Sequence, residues 1–370
     1  QGAVLTAKND LKLKAVSKSD VIVGASTSLA KIRQSPGGIS AGAAYADVRS
    51  EANVTVNGSL AAGTAGDTSK GTVSVNAESM NYLDGTAASK TANDNAILCT
   101  GAVVANVRND ANIRISNTAS VNAQKSVTVK SDTVSDVSTT AIAETGNDSY
   151  AGVAVNVTEF SSNAATSIAC NMTTVAGNID ASANNLILQN RSTAKGSVGY
   201  TKISQALANV ESNLVASIFS LTKFTGKFTG NLEATGSKFK AAGAIVYSQG
   251  THGSKLDIGS NVKITAGDKL ILKSSTVVQD LFMQADSTAR SKMTKADGTK
   301  VSVSAGIIYS DVAQTSEVRI ADAIYDGTTG NGTVLTGTSV QIDSTTRIEY
   351  NRVLRMIQAV EDAVAQLKSS

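Results

Sequence analysis

Tryptophan is absent from this sequence, and aromatic residues make up only 4% of it. There is one proline, Pro36, one histidine, His252, and two cysteines, Cys99 and Cys170. Each scarcity excludes something. Two cysteines outside any CxxC pair cannot build a disulfide scaffold, and they are expected as buried free thiols. A lone histidine leaves little room for His-based catalysis or zinc chemistry, and no cofactor is expected. Charged residues are 17%, below the usual quarter, and the net charge is only +3. That is too small and too scattered for a nucleic-acid footprint. No run of 18 apolar residues occurs, so no membrane-spanning helix is expected.

What remains is rich in Ala, Ser, Thr, Asn, Gly and Val, with hydrophobic residues at 41% of 370. Small and β-branched residues in that proportion suit repetitive sheet, and few prolines suit it too, because proline deletes a ladder hydrogen bond.

The sequence repeats itself. An eleven-residue segment occurs at Ala46–Val56, Ala105–Ile115, Ala208–Ile218 and Ser310–Ile320, with a weaker copy at Ser248–Ile258. Gly152–Ile168 reads as another copy with a small insertion near Phe160. A second, alternating element recurs at Ala7–Ala15, Ala123–Ser131 and Ala266–Ser274. A third is a small apolar run opened by Gly42, Gly101, Gly152, Gly243 and Gly306. The wide gap between Gly152 and Gly243 is expected to hold two units. Period-2 alternation is the strand signal, and Asn57-Gly58, Asp84-Gly85, Asp297-Gly298 and Asp326-Gly327 read as turns.

A unit of this kind cannot bury its apolar face alone, so stacked neighbours are needed. The expectation is all-β: a parallel β-helix of irregular 50–60-residue repeats over residues 1–346, drawn out as a stiff rod. An antiparallel sandwich array is the alternative. Stacking predicts columns. Val48, Val107, Val210 and Val312 form one. Val54, Ile113 and Val318 form a second, and Val56, Ile115 and Ile320 a third. Tyr45, Tyr247 and Tyr309 share a column with Val104 and Leu207. Asp47, Asn106, Asn209 and Asp311 share another, read as a solvated or amide column rather than a metal ladder.

The style changes at residues 347–370. Tyr350, Val353, Ile357, Val360, Val364 and Leu367 keep a heptad spacing, and Thr346 with Glu349 makes a capping box. This predicts an amphipathic C-terminal helix that either caps the solenoid or joins subunits. Ile203–Ser220 also has helical spacing but matches the strand repeat, and is read as strand. His252, between Gly250 and Gly253, is expected in a loop. Contact loops are expected at 61–71, 143–149, 221–231 and 322–336. The first 36 residues carry six Lys/Arg against two Asp, read as a solvated face.

The stretch from Gly101-Ala-Val-Val-Ala-Asn-Val through Ala111-Asn-Ile-Arg-Ile115 to Val121-Asn-Ala-Gln-Lys-Ser-Val-Thr-Val-Lys130 resembles the repeats of very large bacterial exoproteins of the filamentous-haemagglutinin-like and leukotoxin-like adhesin type. The resemblance is one of style and covers about residues 1–346. It implies export, a β-helical rod, an extracellular or cell-surface location, and no transferable binding residue. The departures from it, a missing N-terminal secretion domain and the C-terminal helix, lead to the expectation of a piece of a larger polypeptide or a self-assembling subunit. The function expected from it is structural and adhesive, with self, glycans or surface proteins as partners and no enzyme activity. A filament or trimeric-spike subunit and a β-helix polysaccharide-active enzyme are the alternatives.

Overall fold

The computed structural model describes residues 3–29, 38–91, 96–145, 151–198, 226–231, 240–289, 302–321 and 332–348. Every regular element among them is a strand. The chain coils, and each of the first three turns of the coil has one short strand and two long ones. The first turn is β1 (Val4–Ala7), β2 (Leu11–Leu29) and β3 (Gly38–Val56). The second is β4 (Ser59–Ala62), β5 (Thr72–Thr91) and β6 (Ala96–Ile115). The third is β7 (Ser120–Ala123), β8 (Ser126–Thr145) and β9 (Ala151–Ile168). The fourth holds β10 (Asn171–Thr174), β11 (Ile179–Val198), β12 (Gly226–Asn231) and β13 (Lys240–Ile258). The fifth is β14 (Lys263–Thr265), β15 (Lys269–Val278), β16 (Leu281–Ala289) and β17 (Ser302–Ile320), and β18 (Val334–Thr336) and β19 (Ser339–Ile348) begin a sixth.

Stacking the turns makes three parallel sheets. Sheet A joins the short strands in the order β1-β4-β7-β10-β14-β18. Sheet B joins β2, β5, β8 and β11, then β15 and β16, with β19 on β15 and β12 on β16. Sheet C runs β17-β13-β9-β6-β3. This is the expected parallel β-helix. Its proportions differ from the expected rod. A 20-residue strand such as β5 is about 66 Å long at 3.3 Å per residue, while six turns rise less than about 30 Å. The described part is a blade, wider than it is tall.

The alternation in sequence becomes alternation in burial. β8 alternates half-buried and buried through all its residues. Val48 pairs with Val107 and Val107 with Phe160, forming one inward column. Val56, Ile115, Ile168, Ile258 and Ile320 form another. Phe160 takes the place of Val107 one turn on without any insertion, because β6 and β9 pair residue for residue. The gap from Gly152 to Gly243 holds one turn, not two: β9 pairs directly with β13. The repeat copy at Ala208–Ile218 lies outside the described residues. Asp84-Gly85 is no turn but the middle of β5, where Gly85 faces Val103 across the core. Asn57-Gly58 does turn, between β3 and β4. Of the expected loops, 61–62, 143–145, 226–231 and 334–336 are strand.

The interior is a wedge. At its base, beside sheet A, facing positions of sheets B and C carry Val73, Val75, Ile113 and Ile115, with Leu60 and Val121 from sheet A. Burying each such side chain is worth about 1.5–3 kcal/mol. At the tip the two long sheets close on each other. A methyl group on inward-facing Gly101 would lie 2.2 Å from Ile142 O, and one on Gly152 would lie 2.7 Å from Ser197 O. No side chain fits there. This explains the recurring glycine of the third sequence element. In the fourth turn the small residue moves to sheet B: Gly196 faces Gly243 O at 2.0 Å from its would-be methyl, while Gly243 itself points outward.

Hydroxyl and amide groups cross the wedge between its apolar layers. Ser50 donates to Ser17 at 2.8 Å and Ser79 to Ser50 at 2.9 Å. Asn109 donates to Ser135 Oγ at 2.7 Å and Val134 O at 2.9 Å. Nearer the tip, Asn156 donates to Thr139 O at 2.8 Å and Thr193 O at 2.9 Å. Most buried polar groups need a partner, and for these side chains it comes from the next turn or the facing sheet.

Candidate interaction face

Both long sheets turn one side to solvent, and the two outer sides differ. Sheet B is mostly polar outside, although Val16 and Ile22 are exposed there and Met80, Val134, Leu186 and Val277 form one apolar column. Lys14 meets Glu78 at 2.6 Å, Lys90 meets Glu144 at 3.2 Å, and Asn184 donates to Asp132 at 2.7 Å. The base half of sheet C is polar too, with Arg49 on Asp47, Arg108 on Asp110, and Asn112 donating to Asn53.

The tip half of sheet C is different. Four outward columns lie side by side there. Tyr45, Val104, Val157, Tyr247 and Tyr309 make the first. Ala43, Ala102, Val155, Ile245 and Ile307 make the second. Ala41, Thr100, Val153, Gly243 and Ala305 make the third, and Ile39, Leu98, Ala151, Ala241 and Val303 the fourth. None of these side chains is charged. Ile39 and Tyr45 are each 65% exposed, Ile307 53% and Tyr309 51%. Tyr247 and Tyr309 stack at 5.1 Å between centroids, nearly parallel. The boundary is sharp, since the next column is Asp47, Asn106, Glu159, Gln249 and Asp311.

The local sequence explains the patch. In most of the chain apolar and polar residues alternate, as in strands with one wet face. Here Gly42-Ala-Ala-Tyr45, Gly101-Ala-Val-Val104 and Gly243-Ala-Ile-Val246 are apolar at odd and even positions alike. That is the pattern of a parallel strand covered on both faces. One face has its cover, the core. The other is open. The recurrence of these runs is visible in the sequence, but which of their sides is open is not read from it. The missed signal was the loss of alternation.

A second feature lies where sheet C is interrupted. β9 and β13 pair up to Glu159–Gln249 and resume at Ser162–His252. A cleft of about 270 Å³ opens there, lined by Asn106, Val107, Glu159, Phe160, Ser161, Gln249, Gly250 and Thr251. It is smaller than most ligand pockets. His252 sits behind it, and here the sequence expectation fails. It is no loop residue but an inward-facing, buried residue of β13. The pleat decides this, because His252 keeps the phase of the inward residues Ser248 and Ser254. Its ring lies 4.5 Å from that of Phe160, and neither ring nitrogen has a hydrogen-bond partner. Burial lowers its pKa to about 4, so it is neutral near pH 7.

Cys99 and Cys170 are free and buried, as expected. Burial raises both thiols, Cys170 to about 12. On the outside of sheet B, burial, then Asp280 and Asp84, raise the pKa of Asp136. Among the described residues no group of three or more His, Cys, Asp or Glu is placed to hold a metal ion. No described helix is long and apolar enough to cross a membrane.

The column of Asp47, Asn106 and Asp311 is outward and continuous as expected, with Glu159 and Gln249 completing it. Val157 stands in the tyrosine column where Leu207 was expected. Val210, Asn209 and Leu207 lie outside the described residues. So does the seam of Tyr350, Val353, Ile357, Val360, Val364 and Leu367. The capping box is displaced: Thr346, Arg347 and Ile348 belong to β19, which pairs with β15 through Ile348 and Val278. A helix therefore cannot begin before residue 349.

Comparison with family models, curated proteins and solved structures gives no match.

Proposed function

We propose that this chain is a non-enzymatic structural and adhesive segment of a bacterial surface or secreted protein. The observation that carries the reading is the column structure. The outer positions repeat from turn to turn, so the chain presents extended stripes of one chemistry rather than a unique constellation of reactive groups. The proportions refine the role. Each turn adds only about 4.8 Å of height but a strand about 66 Å wide. Such a coil is an inefficient spacer and an efficient presenter of broad faces. The resemblance to large bacterial exoproteins supports export and a surface location.

The test is retention of the purified, labelled protein on bacterial and host cells and on immobilised matrix glycans and proteins. Saturable retention on one of these surfaces is expected. Release of reducing ends or unsaturated sugars from acidic polysaccharides, with no retention anywhere, would overturn the reading in favour of a glycan-active enzyme.

A further inference from the structure

We infer that the apolar tip half of sheet C is the face through which two copies of this chain pair, sheet against sheet. This deepens the structural reading above and rests on it. Three observations carry it. First, the strands that form this face have the continuous apolar composition of strands covered on both sides, yet their outer side is exposed. Second, the area fits. Four columns at two residues apart span about 20 Å, and five strands about 19 Å. With side-chain margins each face covers roughly 650 Å², so a pair buries roughly 1,300 Å², within the class of specific stable interfaces. That is also more uncharged apolar surface than a monomer usually leaves open.

Third, the pattern is self-complementary. The columns are ridges with one spacing along the strand and another between turns. A second copy has the same two spacings, so its ridges fall into these grooves across the whole patch. Stacked sheets settle about 10 Å apart by this interdigitation. With no charge on the face, two copies meet without like-charge repulsion.

The test uses the whole chain. Light scattering should give twice the monomer mass at tens of micromolar. Ile245→Lys with Ile307→Lys should give monomer mass and an unchanged far-ultraviolet spectrum, because both side chains point outward. Val155→Cys, near the centre of the patch, should cross-link to its mate under mild oxidation. Ser138→Cys on the outside of sheet B should not. A monomeric wild type, an unchanged mass in the double variant, or cross-linking only through Ser138→Cys would overturn the pairing. Dissociation by Ile357→Asp and Val360→Asp but not by the sheet variants would overturn it in favour of the C-terminal seam. Surface retention and polysaccharide release are read separately on the same variants. A monomer that still adheres therefore refutes the pairing alone, and cleavage refutes the reading beneath it.

Discussion

At the base of the wedge, facing positions of β5 and β6 are Val73, Val75, Ile113 and Ile115. Farther along the same two strands they are Gly85, Ala87, Gly101 and Cys99. Three sheets enclose the base and leave room for branched side chains. Only two sheets enclose the tip, and they close until a carbonyl of one lies against a glycine of the other. The base is stabilised by burying apolar area. The tip is stabilised by ladder hydrogen bonds, hydroxyl contacts and close backbone approach, with little apolar volume. One strand therefore obeys two packing rules along its length. The outer surface follows the same division on sheet C, polar over the base and apolar over the tip.

The largest test of this contrast is at the base. Ile115→Ala should cost about 2–5 kcal/mol, because the rigid corner between three sheets cannot collapse into the cavity. Urea unfolding followed by circular dichroism measures it. A loss no greater than that of a surface substitution would mean that the base is not the stable end.

The middle of the wedge is tested by acid. In the unfolded chain His252 has a pKa of about 6.5, and in the fold about 4. Between those values the unfolded chain binds the extra proton. Stability is thus complete above about pH 6.5 and falls as the pH drops toward 4, by a total on the order of 3 kcal/mol. Asp136 works in the opposite sense. Its raised pKa means that the fold holds this proton more tightly than the unfolded chain, so acid favours the fold through that group. The urea midpoint of the wild type should fall more steeply from pH 7 to pH 4 than that of His252→Leu. Equal slopes would clear the ring of responsibility.

At the tip the prediction reverses the usual effect of size. Gly101→Ala adds a single methyl group and should cost about 1–3 kcal/mol through overpacking, because it meets Ile142 O. Gly24→Ala, also in the tip half but facing outward with nothing within 4 Å, should be neutral or stabilise by about 0.4–1 kcal/mol through lower chain entropy. Paired thermal melts give the comparison, and equal effects would remove the tapering tip from the account. The smallest effect is outside. Lys90→Ala loses one exposed ion pair with Glu144 and should cost no more than about 1 kcal/mol.

Much of this architecture is legible in the residues. The alternation, the recurring eleven-residue segment and the columns through Val48, Val54 and Val56 follow from local pattern. In a parallel stack, one residue's partner is its counterpart one turn on. The errors have physical causes as well. Asp84-Gly85 has turn composition, but a glycine is also what a narrow sheet interface requires. His252 between two glycines looks like a loop, yet Gly250 and Gly253 lie within a strand; a side chain at Gly250 would run into the Phe160 carbonyl of neighbouring β9. Thr346 with Glu349 has capping spacing, but pairing with β15 holds residues 346–348 in a strand.

The sequence by itself determined the parallel coil, the identity of most inward columns and the burial of both cysteines. These depend on periods that neighbouring residues carry. Only the tertiary structure decided that the coil is a broad blade, that its two long sheets converge, and that the apolar runs beside the glycines have one covered face and one open face. Those features depend on the distance between sheets B and C and on what lies beyond them. No short stretch of chain encodes that distance, because it is set jointly by side chains of different turns meeting across the core.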